Sequence, residues 1–236
     1  ASKDLKRLPF IPSDYSLWPN DWKTVFYKEY SSFPKIIFPD PSFSELLSVT
    51  SKRSSVRIFS GKPISLANLS LLFLSSCGIT RRTIDENSSK RAQASAGGRY
   101  PLEVYLINHV QGDLDTGVYH YNVKKHGLDK LWTCSSSSYD RLIKGYEKAG
   151  FKNPSFSIVI SGVMSRSFPK YGERSLRYMY LEAGAISHMI TLAATTLGLG
   201  SIIVGGAVQE DEFIKLLDIQ EEKESILTSL LVGTLP

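Results

Sequence analysis

Apolar positions along this chain change period from one stretch to the next, and the changes mark out its elements. Leu66, Leu69, Leu72 and Phe73 recur at helical spacing, with Ser65 before them and Gly78 after, which predicts a helix between those two residues. Leu46, Leu47 and Val49 follow Ser42-Phe43-Ser44-Glu45, an S-x-x-E arrangement that predicts a capping box opened by Ser42. Residues rich in β-formers fill 102–108, 117–123, 128–132, 156–163, 201–204 and 226–232, with His126-Gly127 turning one of these strands back into the next. Helical patterns cover 139–149 and 211–217, and the longest, 176–197, closes on Gly198 and Gly200. Residues 57–63 read as a connector, and 81–93 as a polar, charged, mobile loop. Strands and helices are interspersed without strict βαβ alternation, which predicts an α+β fold with a mixed sheet.

Residues 1–41 differ from the rest. Six prolines and several aromatic residues stand there with little periodicity, so an extended arm is expected, carrying one short helix over 21–29. The remaining 42–236 make one domain of ordinary size. Hydrophobic residues are 42% of the 236 and charged residues 22%, which argues against long disorder. A net charge of +5 fits a bound phosphate; the cations are dispersed, without the basic block of a nucleic-acid tail. Cys77 and Cys134 are the two cysteines, and no tight Cys/His spacing suggests a metal site or a disulfide framework. His120, His126 and His188 read as structural, and His109, which follows a strand, shows no ligand spacing. The apolar stretch over 183–206 is broken by His188, Gly and Thr and shares its predicted helix with Arg177 and Glu182, so it reads as core rather than membrane span. With no signal peptide evident, a cytoplasmic protein without a membrane partner is expected.

Four stretches carry candidate chemistry, and each has an ordinary reading beside it. Arg53-Ser54-Ser55-Val56-Arg57 offers two guanidinium forks suited to phosphate, or a basic helix C-terminus that suits the macrodipole. Ser95-Ala96-Gly97-Gly98-Arg99-Tyr100-Pro101 could admit a planar ring against backbone N–H groups, or serve as a tight turn into a strand. Gly205 and Gly206 could expose amides after a strand, or simply end it. Lys170-Tyr171 precedes the long helix; alone it is a commonplace surface pair.

Taken in order and at these separations, the stretches resemble the FMN-dependent nitroreductase superfamily, and within it the SagB-type branch of thiazoline/oxazoline dehydrogenases. The likeness covers about residues 45–236, and Trp18-Pro19-Asn20-Asp21-Trp22-Lys23 resembles the approach of some SagB-type proteins. It implies a nitroreductase-like fold with a mostly antiparallel sheet and the long helix buried at a homodimer interface, where FMN lodges. The R-x-S-x-[RK] pattern maps onto Arg53, Ser55 and Arg57 as ligands of the phosphate and ribityl chain. The S-A-G-x-x-Y-P-x-E-x-Y run gives Ser95, Ala96, Gly97, Tyr100, Pro101, Glu103 and Tyr105 in register, with Gly98 standing near the place where many nitroreductases have asparagine. Gly205 and Gly206 would cover the flavin. Lys170 and Tyr171 would be the catalytic pair, the lysine as base and the tyrosine holding or relaying the proton. Residues 232–236 contain no basic residue, so phosphate binding would rest on Arg53 and Arg57.

The resemblance implies oxidation of an azoline in a peptide or carrier-bound intermediate, with dioxygen reoxidising the flavin and a cyclodehydratase complex as partner. Two rivals remain at this stage: an NAD(P)H-dependent reductase of nitro compounds or quinones, and an idle member that scaffolds a biosynthetic complex. The helix over 176–197 is apolar nearly all round, more than one small domain needs, which also suggests a second copy.

Overall fold

A six-stranded sheet with antiparallel ladders organises residues 44–236, in the spatial order β5-β4-β3-β6-β8-β7 once its strands are numbered along the chain. These are β3 (Leu102–Asn108), β4 (Gly117–Asn122), β5 (Gly127–Trp132), β6 (Phe156–Val163), β7 (Leu199–Val204) and β8 (Glu224–Thr234). The structure is a computed structural model describing residues 15–23, 27–28, 34–39, 41, 44–84, 89–132, 137–204 and 210–236. It divides into two units, Ala1–Phe43 and Ser44–Pro236. In the first, a 3₁₀ turn at Tyr15–Leu17 precedes helix α1 (Asn20–Lys23), and Lys23 Nζ donates to the carbonyl of Ser16 at 3.0 Å. The short helix expected over 21–29 is thus described only as α1, since 24–26 and 29 lie outside the described residues.

Alternation decides which way each strand faces. Phe156, Ile158 and Ile160 of β6 join Val104 and Leu106 of β3 in one core, against α3 (Leu66–Cys77) and α6 (Arg174–Thr196). Val159, Tyr105 and Ile107 point the other way, into a second core closed by α4 (Ser137–Lys148) and α7 (Glu210–Leu217). Both faces of β3 and β6 are therefore covered, as expected of strands inside a helix-flanked sheet. The expected α+β architecture is the one found. Its parallel component is slight: single bridges Ser55–Ser201 and Ile58–Lys152.

Two local expectations need correction. Helix α2 (Glu45–Lys52) is capped by Ser44, whose hydroxyl accepts from Leu47 N at 3.1 Å, so Glu45 is the first helical residue and Ser42 is not the cap. The loop expected over 81–93 contains strand β2 (Lys90–Arg91), paired with β1 (Ile79–Arg81), while 85–88 lie outside the described residues. Before α6, Pro169 sits in the first turn of a short helix α5 (Phe168–Tyr171). Within one chain, α6 is buried along one face and apolar on part of the other. Met179, Ala183, Ile186 and Ile190 pack inward, whereas Leu176, Tyr180 and Leu181 are 42–66% exposed and Met189 is 37% exposed.

Candidate functional site

The loop entering β3 is held in a shape that few residue types permit. Ser95 Oγ accepts from Tyr100 N at 2.9 Å, and Gly98 N donates to Ser95 O at 3.0 Å, closing a 3₁₀ turn over Ala96–Gly98. Gly97, Gly98 and Tyr100 take φ of 60°, 63° and 45°, the left-handed region where an L side chain costs roughly 1–2 kcal/mol. Tyr100 sits there against two contacts: its hydroxyl accepts from Arg91 N at 3.2 Å, and the Arg91 guanidinium lies 4.9 Å from its ring centroid. Tyr100 therefore fastens the loop to β2.

Gly97 faces Lys170 and Tyr171. A methyl group on Gly97 would overlap the Tyr171 hydroxyl and stand 2.7 Å from Lys170 Nζ. The absence of a side chain at residue 97 is thus what lets both polar tips come down onto the backbone. Tyr171 is fixed edge-on against Tyr178, one turn into α6, with centroids 5.1 Å apart, and Lys170 Nζ is 5.3 Å from the Tyr171 ring. Lys170 is exposed. The screening from water that a lysine base needs is supplied only when something covers it.

Beneath the loop lies a group that sequence reasoning left without a role. Glu182 of α6 is 4% exposed, accepts from Gln93 Nε2 at 3.1 Å, and is hydrogen-bonded to Ser95. Burial pushes its carboxyl above the usual range, against the opposing pull of Ser95, Gln93 and Arg91. It anchors both ends of the 93–95 segment from below. The sequence signal was a lone carboxylate on the inward face of a predicted core helix. Gln93 Oε1, also buried, has no hydrogen-bond partner.

Glu103 and Tyr105 point into the opposite face of the sheet from α6 and do not join this cluster. Burial raises the Glu103 carboxyl, but a 2.7 Å bond from His120 Nε2 and the Arg166 guanidinium at 2.5 Å outweigh it and hold it below the usual range. Tyr105 donates to Glu224 Oε1 at 2.9 Å, and its hydroxyl is pushed well above the ordinary tyrosine value, chiefly by burial and then by that carboxylate. These are structural pairs that tie β3, β4, β6 and β8 together.

Arg53, Ser55 and Arg57 lie elsewhere. Arg53 caps α2 through its backbone N–H to Val49 O, Ser55 bridges Ser201, and the Arg57 carbonyl accepts from Lys152 N. Ser201 shares a row with Val232, Phe156 and Asn108, while Pro101 hands over to the row of Leu102, Gly162 and Ser225. Six residues of β6 separate the rows, about 20 Å of strand. The arginine pair and the Gly97–Lys170–Tyr171 cluster thus occupy opposite ends of the sheet, and Gly205 and Gly206 lie outside the described residues. His109 is structural, between Tyr139 Oη at 3.1 Å and Ser157 Oγ at 2.7 Å. Cys77 is buried with its thiol pushed up to about 12, chiefly by desolvation, so it is no nucleophile. Among the described residues no three His, Cys, Asp or Glu converge as a metal site, and no helix is long and apolar enough to cross a membrane.

Parts of a flavin mononucleotide suit what is present: the forked donors of Arg53 and Arg57 suit a phosphate, and the bare Gly97 surface, which a Cβ would fill, suits a planar ring, the two lying at opposite ends of the sheet within one chain. MJ1384 of Methanocaldococcus jannaschii, provisionally named a nitroreductase, is 30% identical over 188 residues, covering 79% of this chain and 91% of its own length. The trifolitoxin-processing protein TfxB of Rhizobium leguminosarum is 30% identical over 84% of this chain, and the microcin B17-processing protein McbC of Escherichia coli 26% over 70%. The matched segments span 56% and 64% of those two longer proteins. The fold matches a chain of the E. coli microcin synthetase McbBCD complex with truncated pro-MccB17 bound, at a TM-score of 0.73 and 19% identity over 98% of this chain and 86% of that one. It also matches a nitroreductase-type protein of Desulfovibrio desulfuricans solved with FMN, at a TM-score of 0.55 and 14% identity over 82% of this chain and 88% of that one. The nitroreductase family model itself matches residues 50–234, taking in every strand of the sheet and both the arginine pair and the Lys170–Tyr171 pair, so the chain belongs to the nitroreductase family.

Proposed function

We propose that this chain is an FMN-dependent oxidoreductase that dehydrogenates a thiazoline or oxazoline ring in a peptide or carrier-bound intermediate. The observation that carries the reading is the seating of Lys170 and Tyr171 against Gly97, in a chain with two peptide-processing relatives. Arg53, Ser55 and Arg57 would hold the phosphate and ribityl chain; Ser95, Ala96, Gly97 and Gly98 would face the ring, with Gly205 and Gly206 covering it. FMN, when bound, supplies the two-electron acceptor, which dioxygen then reoxidises.

The chain's own residues handle the proton. Aromatising an azoline removes a proton from one ring carbon as a hydride leaves another. Lys170 Nζ takes the proton, and the Tyr171 hydroxyl beside it holds the lysine and relays the proton outward. Gly97 lets both tips approach, while Glu182 and Ser95 keep the loop from shifting. The exposed Leu176, Tyr180 and Leu181 of α6 would be the surface on which a second copy closes to form a homodimer.

The test is single-turnover flavin reduction by an azoline-containing peptide, followed at the flavin absorbance under anaerobic conditions. The protein should purify yellow, release FMN on denaturation, and be bleached by the azoline. Protein that cannot be loaded with FMN, or a flavin untouched by any azoline, rejects the reading. MJ1384, matched over 91% of its length, favours a second reading as an NAD(P)H-dependent nitro or quinone reductase. Bleaching by NADPH and not by azoline selects it.

A further inference from the structure

Beside the Gly97 loop, a cavity of ≈ 410 Å³ is lined by Arg82, Arg91, Arg99, Lys124 and Arg166, with Tyr100 in its wall and no carboxylate among its described lining residues. Lys90 Nζ comes to 3.5 Å of where a Gly98 Cβ would stand, adding a sixth cation at the rim. Five of the chain's 28 lysines and arginines, dispersed along the sequence, meet here in the fold.

The cations come from four segments: Arg82, just after β1, with Arg91 of its partner β2; Arg99 from the loop after Gly98; Lys124 from the β4–β5 turn; and Arg166 from the 3₁₀ turn after β6. Among the described residues the arginines are held by these contacts. Arg91 lies over Tyr100, Arg99 Nε donates to the Arg166 carbonyl at 2.9 Å, Arg166 Nη1 meets Glu103, and Arg82 Nη2 reaches the Lys124 carbonyl at 3.5 Å. A guanidinium has five N–H groups, so such anchoring fixes the side chain and leaves most of its donors for a ligand. Glu103 and His120 face Arg166 from behind, and Asp85 and Glu86 lie outside the described residues.

We propose that this cavity binds carboxylates of the peptide substrate, acidic side chains flanking the residue being oxidised, and so sets which ring reaches Lys170 and Tyr171. The assignment rests on the peptide reading above for what it positions. Gly98, Arg99 and Tyr100 line the cavity and follow Gly97 directly, so an anion held there lies a few residues of extended peptide from the reacting ring. Cations distributed over four segments suit several carboxylates spaced along a chain better than one compact phosphate, for which donors converge on a point.

The experiment uses FMN-loaded protein and a fluorescein-labelled hexapeptide with two Glu residues, against its two-Gln counterpart, by fluorescence anisotropy. The Glu peptide binds about tenfold tighter at low salt, and the advantage shrinks as ionic strength rises. The double variant Arg82→Gln, Lys124→Gln weakens it by about tenfold, as two exposed pairs together can, and leaves the Gln peptide unaffected. Equal binding of the two peptides overturns the proposal. So does displacement of the Glu peptide by NADPH at lower concentrations than by its own unlabelled copy, which assigns the cavity to a nucleotide. Flavin reduction by an azoline peptide without acidic residues is measured alongside. Its failure, with acid-selective binding intact, removes the azoline reading and leaves the anion site standing.

Discussion

Replacing Gly97 by alanine separates the two demands this position meets. Its φ of 60° alone makes an L side chain unfavourable by roughly 1–2 kcal/mol, partly offset by the stiffer unfolded chain, so about 1 kcal/mol of stability is lost. In a chain of this size that lowers Tm by about 2–4 °C. The added methyl also stands 2.7 Å from Lys170 Nζ and nearer still to the Tyr171 hydroxyl. Favourable separations are ~3.5 Å, so both tips retreat by about an ångström. Lys170 Nζ ends a flexible side chain and swings away at little cost, while the Tyr171 ring tilts against Tyr178; the retreat displaces the proposed proton acceptor, and a misplacement of that size costs about 10² in rate. Gly98→Ala is the matched control: its φ is 63°, yet its methyl meets only Lys90 Nζ at an ordinary 3.5 Å. Scanning fluorimetry should show similar Tm losses for the two variants. Single-turnover flavin reduction by an azoline peptide should be slower in Gly97→Ala than in Gly98→Ala by about 10². Equal rates in the two variants would refute the seating of Lys170 and Tyr171 as a catalytic requirement.

Lys170→Ala and Tyr171→Phe should keep the yellow colour while azoline oxidation falls by ~10²–10⁴, the usual loss on removing a general acid or base; unchanged turnover assigns the pair to the surface. Arg53→Gln and Arg57→Gln each remove charge-assisted bonds of ~1.5–3 kcal/mol, so FMN retention on dilution should fall roughly 10-fold or more per substitution. Leu181→Arg puts a charge on the exposed face of α6, and light scattering should show a dimer in the parent chain and a monomer in the variant; dissociation should rise by about 10² or more, given ~1.5–3 kcal/mol per leucine buried in each copy. Burial pushes His109 from 6.5 down to about 3, so the unfolded chain takes up its proton first. Stability from this group is complete above pH 6.5 and is lost as pH falls toward 3, by about 2 kcal/mol at pH 5. Denaturant titrations between pH 7 and 5 should show that slope in the parent and not in His109→Asn.

How much the sequence disclosed depended on how local the signal was. Helix α3 could be read with both ends because Ser65 and Gly78 are themselves its caps. β3 and β6 were legible because unbroken runs of β-formers mark strands covered on both faces. The β1–β2 pair escaped because Lys90–Arg91 is two residues of charge, and only its partner strand makes it extended. Two serines within three residues competed to cap α2, and pattern alone could not choose between Ser42 and Ser44. In the site, the glycines and Lys170–Tyr171 were visible as motifs, but their meeting joins residues 97 and 171, which are far apart in sequence and are brought together by the pairing of β3 with β6. Glu182 was hidden because its role depends on Gln93 and Ser95, which reach it only in the folded chain.

The inward face of α6 carries Glu182, and the residue before it, Leu181, is 66% exposed. That adjacency matters to anyone engineering the protein. Exposed leucines are the usual targets for charged replacement when expression gives aggregates. On this helix such a change lies one peptide bond from the anchor of the Ser95–Gly98 loop, and any local unwinding to solvate the new charge would pull on that anchor. Solubility is better sought on the exposed positions of α4, which carries none of the proposed catalytic or cofactor-binding residues, so that yield can be improved without altering the chemistry under study.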